Sequence, residues 1–208
     1  VIEEVGREPA PSYMVPKAEP IDGTIAVPGF IDTHTHGIAG VDFTAEPHKA
    51  LEASKRYALH GVTSVLPTTV TAPLEDLLEV CRAVKEIQQE WKPDYGARVL
   101  GVHFEGPYIN PKRAGAQNPA YIRSPSIEEA KRLVSECRGV LKQITMAPEV
   151  PGALEAAKVF REAGLVLSAG HSDATYDEAV RAIETGFTKA NHLFNGMREF
   201  HHREPGIA

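Results

Sequence analysis

A chain of 208 residues can bury a sizeable core, and 42% hydrophobic with 24% charged residues is the balance of a globular fold. The net charge of −6, with no Lys/Arg blocks, argues against a nucleic-acid or anionic-membrane partner. No apolar run approaches the ~18 residues of a membrane span and no signal-peptide pattern opens the chain, while Cys81 and Cys137, without metal-type spacing, point to free thiols in a reducing cytoplasm rather than to a disulfide.

Residues 1–26 are Pro-rich, with short pieces such as "TIAV", and are expected to be part of a small β-sandwich domain. From Val27 onward one unit recurs: a short apolar strand, a polar loop, an amphipathic helix, then Gly and the next strand. The strands are expected at Val27–Thr33, Val62–Thr69, Val99–Phe104, Leu141–Met146, Leu165–Ala169 and Lys189–Phe194. Between them, "APLEDLLEVCRAVKEIQQEW" has proline in its first turn and acidic residues at the positive end of the helix dipole. "SIEEAKRLVSECRG" and "TYDEAVRAIETG" each open with a capping-box pattern, Ser126 with Glu129 and Thr175 with Glu178, and close on glycine. Strand and helix in alternation imply parallel strands, hence an α/β fold that is either a doubly wound sheet or a (β/α)8 barrel. No glycine-rich phosphate loop follows the first strand, whereas polar residues gather after nearly every strand: "DTHTHG", "PTTVT", "HFEGP", "APE", "GHSD" and "NHLFN". That distribution fits a barrel whose site is assembled at the carboxyl ends of the strands. Six of the eight strands of a TIM-type barrel are accounted for over residues 27–208, and the chain, which opens on Val1 and stops at Ala208, reads as cut at both ends.

Five of the nine histidines and one glutamate stand at expected strand ends. His34 and His36 in "THTHG" are i and i+2 on a strand, so both imidazoles face one side. His103 and Glu105 repeat that spacing in "GVHFEGP", His171 ends the fifth strand and His192 the sixth. Imidazoles and a carboxylate on one rim can hold one or two divalent ions, with the carboxylate as a bridge and His103 as the orienting neighbour. Zn or Fe leads the choice of metal, with Mn and Co also compatible with such ligands. His48 and His60 read as helix-surface residues, and His201 and His202 as structural or exposed. The loop "NPKRAGAQNPAYIR" reads either as a solvated connection or as a specificity loop with Gln117 and the backbone around Ala116 as candidate substrate contacts, and Arg203 either as a surface charge or as a group that can grip an anion with two parallel hydrogen bonds.

"PGFIDTHTHG", "HFEGPYINPKRAGAQNP", "TMAPE", "GHSDATYDEA", "NHLFNGM" and "REPG", in that order from Val27 to Ala208, resemble the N-acetylglucosamine-6-phosphate deacetylases of the amidohydrolase superfamily. The resemblance implies that Glu105, His171 and His192 are the principal metal ligands and that His34 and His36 complete a second position. It implies that Asn195 and Gly196 hold the sugar phosphate and that Arg203 binds its phosphate, reaching across a homodimer interface. Two positions depart from the commoner family pattern: Gln117 stands where many members have His, and "NGM" replaces "NAM". The family's catalytic Asp follows an eighth strand and is expected beyond Ala208, so no catalytic acid/base is assigned within this chain. The activity implied is hydrolysis of N-acetylglucosamine 6-phosphate to glucosamine 6-phosphate and acetate in the cytoplasm. The alternatives are another metal-dependent amidohydrolase, such as a cyclic-amide hydrolase, and a metal and sugar-phosphate-binding protein without catalysis.

Overall fold

Nine strands and five α-helices alternate along residues 27–208, the part of the chain that the computed structural model describes. The β domain expected for residues 1–26 lies outside the described residues. Strand β1 is Phe30–Thr35, and a two-stranded hairpin, β2 (Gly37–Ile38) with β3 (Val41–Asp42), follows it. The remaining strands are β4 (Val62–Thr69), β5 (Arg98–Val99), β6 (Val102–Glu105), β7 (Leu141–Met146), β8 (Val166–Ala169) and β9 (Phe187–Ala190). The helices are α1 (Ala50–Ala58), α2 (Leu74–Glu90), α3 (Ile127–Glu136), α4 (Ala153–Glu162) and α5 (Tyr176–Thr185).

All pairings in the main sheet are parallel, in the order β1-β4-β6-β7-β8-β9, with β5 also on β4. Strand order thus follows chain order, as it must in a barrel wall and not in a doubly wound sheet. The sheet curls strongly. Lys189 on β9 donates to the Thr33 hydroxyl of β1 at 2.8 Å and to Gln143 Oε1 of β7 at 3.1 Å, so one side chain joins the first and last strands across the concave face.

Two faces with opposite chemistry explain the curl. Phe104, Ile144, Met146, Leu167 and Phe187 project outward and pack with Leu77, Val84, Leu133 and Phe160 of the helices in one continuous core. The alternate residues Thr68, His103, Gln143, Thr145 and Lys189 bond to one another on the concave side, and Ser168 joins them through Asn191. A side chain of Phe160's size buried there is worth about 1.5–3 kcal/mol of transfer free energy, and the helices are held mainly by such burial. Cys81 on α2 and Cys137 at the end of α3 are free thiols within this core. Cys137's hydrogen bond, then burial, pushes the Cys81 thiol far up, so it is not a nucleophile at neutral pH.

Several boundaries differ from the sequence expectation. The first strand starts at Phe30 rather than Val27 and continues to Thr35. The third divides at Leu100-Gly101, where Gly101 has φ 147° and a Cβ would lie 2.3 Å from the Val140 carbonyl oxygen. The sixth ends at Ala190 rather than Phe194, because His192 (φ 29°) and Phe194 (φ 74°) are left-handed, which no strand accommodates. Thr175 and Glu178 form the full capping box, but Ser126 makes only its own half. Glu129 accepts from Arg123 and from the Tyr108 hydroxyl at 2.9 Å instead of turning back to Ser126.

Candidate metal centre

Each ligand candidate leaves its strand at the same rim. His34 and Thr35 close β1, Glu105 closes β6, His171 follows β8 by two residues and His192 follows β9 by two. The carboxylate of Glu105 is the hub, 2% exposed. Its Oε1 lies 3.1 Å from His34 Nε2, 3.3 Å from His171 Nε2 and 3.1 Å from His192 Nε2. Its Oε2 lies 3.2 Å from His36 Nε2. Two groups with ligand atoms close enough to hold an ion result, His34–His36–Glu105 and Glu105–His171–His192.

The backbone sets the tautomers. His171 Nδ1 stands 2.9 Å from the Arg113 carbonyl, His192 Nδ1 2.8 Å from that of Asn195 and His36 Nδ1 3.1 Å from that of Thr68. A carbonyl only accepts, so Nδ1 carries the proton in all three rings and donates it. The lone pair of each Nε2 then points at Glu105, and His171 and His192 bring theirs within 3.2 Å of each other. Converging lone pairs beside a buried carboxylate repel unless a cation lies among them, and such fixed Nδ1–H donors are the usual support of metal-bound imidazoles. The residues present therefore fit a divalent ion.

Burial alone would push the Glu105 carboxyl up, but hydrogen bonds from His171, His192, His34 and His36 outweigh it and hold it well below the usual carboxylate range. The hydrogen bond to Glu105 is likewise the main reason that His36 and His192 are raised above 6.5, with burial opposing it.

His103 is in neither group. It is fully buried behind Glu105, with its ring centre 5.0 Å from that of His34, and burial followed by the His34 charge pushes it down to about 3. Nε2 meets the Thr145 hydroxyl at 2.7 Å and Nδ1 that of Thr68 at 3.3 Å. Asn191 was not among the residues singled out from sequence. Buried, it donates to Thr145 Oγ1 at 2.6 Å and reaches Glu105 Oε1 at 3.4 Å, while its own oxygen accepts from Ser168. A polar residue at the next inward position after Lys189, just before His192, was the available signal.

The loop after β6 is built rather than loose. Arg113 pairs with Asp173 at 2.8 Å, Asn110 donates to Glu149, and Arg123 pairs with Glu129. Ala116 is exposed, as are Asn195 and Arg203, and Gly196 is half-buried beside the His171 and His192 rings with φ 61°. Gln117 differs from the expectation of a substrate contact. It is 4% exposed, its Nε2 donates to Glu105 Oε2 at 2.7 Å and its Oε1 accepts from Thr71 N at 2.6 Å. His48 lies in a short 3-10 turn against Glu79 rather than on an α-helix, His60 is exposed just past α1, and His201 and His202 are exposed with rings 4.2 Å apart. Among the described residues, no helix is long and apolar enough to cross a membrane.

The Amidohydrolase family model matches residues 25–206. N-acetylglucosamine-6-phosphate deacetylase of Lysinibacillus sphaericus is 38% identical over 187 residues, covering 89% of this chain and 48% of that protein. N-acetylgalactosamine-6-phosphate deacetylase of Escherichia coli O157:H7 is 37% identical over 187 residues, covering 89% and 49%. Among solved structures, N-acetylglucosamine-6-phosphate deacetylase from Pasteurella multocida aligns with a TM-score of 0.78 at 36% identity over 86% of this chain and 46% of that one. A mutant of the Mycobacterium smegmatis enzyme in complex with N-acetyl-D-glucosamine-6-phosphate aligns with a TM-score of 0.76 at 38% identity, covering 88% and 46%. The chain spans about half the length of the curated relatives it matches.

Proposed function

Because the chain belongs to the amidohydrolase family, we propose that it supplies the metal centre and part of the sugar-phosphate site of a deacetylase. The reaction is hydrolysis of N-acetylglucosamine 6-phosphate to glucosamine 6-phosphate and acetate. The observation that carries this is one buried carboxylate, Glu105, shared by four imidazoles in two ligand groups. It occurs in a chain 36–38% identical to proteins named for that activity.

Glu105, His171 and His192 would hold the principal ion and His34 and His36, with Glu105, a second, zinc or iron being the ions such ligands favour. When bound, a divalent metal polarises an amide carbonyl and lowers the pKa of water toward neutral. The chain's own residues do the positioning. Exposed Arg203 grips the phosphate with its planar fork, and Asn195, the Gly196 backbone and the Ala116 backbone orient the sugar so that its acetamide meets the rim. Proton transfer requires in addition the Asp that family resemblance puts after an eighth strand, beyond Ala208. The same resemblance supports a homodimer with Arg203 at the interface, and the free buried thiols Cys81 and Cys137 support a reducing cytoplasm.

The test is metal analysis together with acetate release by the whole protein from the phosphorylated sugar, its unphosphorylated form and the N-acetylgalactosamine epimer. Acetate from N-acetylglucosamine 6-phosphate above the other two supports the proposal; a metal-free protein, or binding without acetate, sinks it.

A further inference from the structure

We infer that Gln117 is a positioning residue for the His34–His36 metal position, acting by fixing the rotation of the Glu105 carboxylate; this rests on the metal-centre reading above. The amide has one orientation. Thr71 N–H can only donate, so the atom 2.6 Å from it is Gln117 Oε1, and Nε2 is left to donate to Glu105 Oε2 at 2.7 Å. The terminal torsion of a glutamate is broad, so its rotation is set by partners and not by the side chain itself. Those partners are unequally shared. Oε1 faces His34, His171, His192 and Asn191, whereas Oε2 has, among the described residues, only His36 at 3.2 Å and Gln117.

One short segment anchors both partners of Oε2. The Thr68 carbonyl takes His36 Nδ1–H, and Thr71 N–H takes Gln117 Oε1. Without the carboxamide, Oε2 loses its shortest contact and is free to swing from His36, while the Oε1 side stays pinned. Neutrality matters as well. A cationic donor this close to a ligating oxygen would repel a divalent ion, whereas an amide donates without adding charge. The identity of residue 117 therefore tunes how firmly the His34–His36 position holds metal, and leaves the Glu105–His171–His192 position largely alone.

The experiment is Co(II) titration against a competing chelator, with metal content measured after dialysis, on the whole protein and on Gln117→Met, His36→Gln and the double variant. Gln117→Met keeps the side-chain length and removes the donor. It is expected to weaken one ion about tenfold to a hundredfold, the range found when a partner of a metal ligand is lost, and to leave the other within about twofold. On the His36→Gln background it is expected to change nothing further. Equal weakening of both ions, an undiminished loss on the His36→Gln background, or no loss at all overturns the inference.

A second measurement needs neither a variant that folds nor bound metal. In the metal-free protein, the Gln117 carboxamide protons should resonate downfield and exchange slowly, as donors to a buried carboxylate do. Ordinary solvent-like shifts overturn the inference whether or not the protein deacetylates anything, and failure of acetate release with these shifts intact sinks only the proposed activity.

Discussion

Glu105→Gln is the perturbation that separates a shared carboxylate from two independent sites. Both ligand groups contain Glu105, whereas His36 belongs to one and His192 to the other. At a free metal concentration a hundredfold above its Kd, each bound ion stabilises the folded chain by about 2.7 kcal/mol. For a chain of this size ~1 kcal/mol moves Tm by roughly 2–4 °C, so each filled position should raise Tm by about 5–11 °C. Thermal denaturation with and without Zn(II), alongside metal content, reads the outcome. The unaltered protein should show both increments, and His36→Gln or His192→Gln only one. Glu105→Gln, which exchanges the charged oxygens between the imidazoles for a neutral amide, should show neither. A Glu105→Gln protein that keeps the full metal-dependent rise would refute the bridging role.

Raised pKa values of His36 and His192 give a pH prediction with a definite sign. A raised folded-state value stabilises the metal-free chain below the unfolded value of 6.5, and that contribution is lost as pH rises through the folded value. Metal needs the same Nε2 atoms unprotonated, so the gap in Tm between loaded and metal-free protein should widen from about pH 6 to about pH 8, and a constant gap would count against it. Gly101→Ala brings a Cβ to 2.3 Å from a backbone oxygen at φ 147°, and should lower stability in urea denaturation by at least about 1–3 kcal/mol. Thr175→Ala removes the hydroxyl that accepts from Glu178 N–H, while the backbone N–H of residue 175 still donates to the Glu178 carboxylate, and it should cost about 1 kcal/mol in the same assay. Arg203→Met should raise KM for the phosphorylated sugar about tenfold to a hundredfold and leave that for the unphosphorylated sugar unchanged.

Much of the centre was legible because it obeys local rules. His34 with His36 and His103 with Glu105 share a face by strand periodicity, and each pair sits where an apolar run ends. His192 lies 3.1 Å from Glu105 Oε1 although the backbone there is a left-handed turn, since its residue type and place in the chain do not depend on φ. The contacts of Gln117 were not legible. Its bond to Glu105 spans 12 residues, and its bond to Thr71 spans 46, so both follow from how the loop after β6 folds back over β4. Asn191 escaped for a related reason, since an inward-facing polar residue gains meaning only once Thr145, Ser168 and Glu105 surround it. Strand ends set by backbone geometry, at Gly101 and at His192, were misplaced by the same few residues over which hydrophobic patterns blur.

The polar lining of the concave face has a consequence for both metal positions. Beneath Glu105 a hydrogen-bonded path runs from Asn191 to the Thr145 hydroxyl, on to His103, then to Thr68, whose carbonyl holds His36. Asn191 also touches the oxygen that faces His171 and His192. That path ties the supports of both ligand groups to one buried imidazole, so a change at His103 should be felt at His36 and at His192 alike, unlike a change at Gln117, which touches Glu105 on the His36 side.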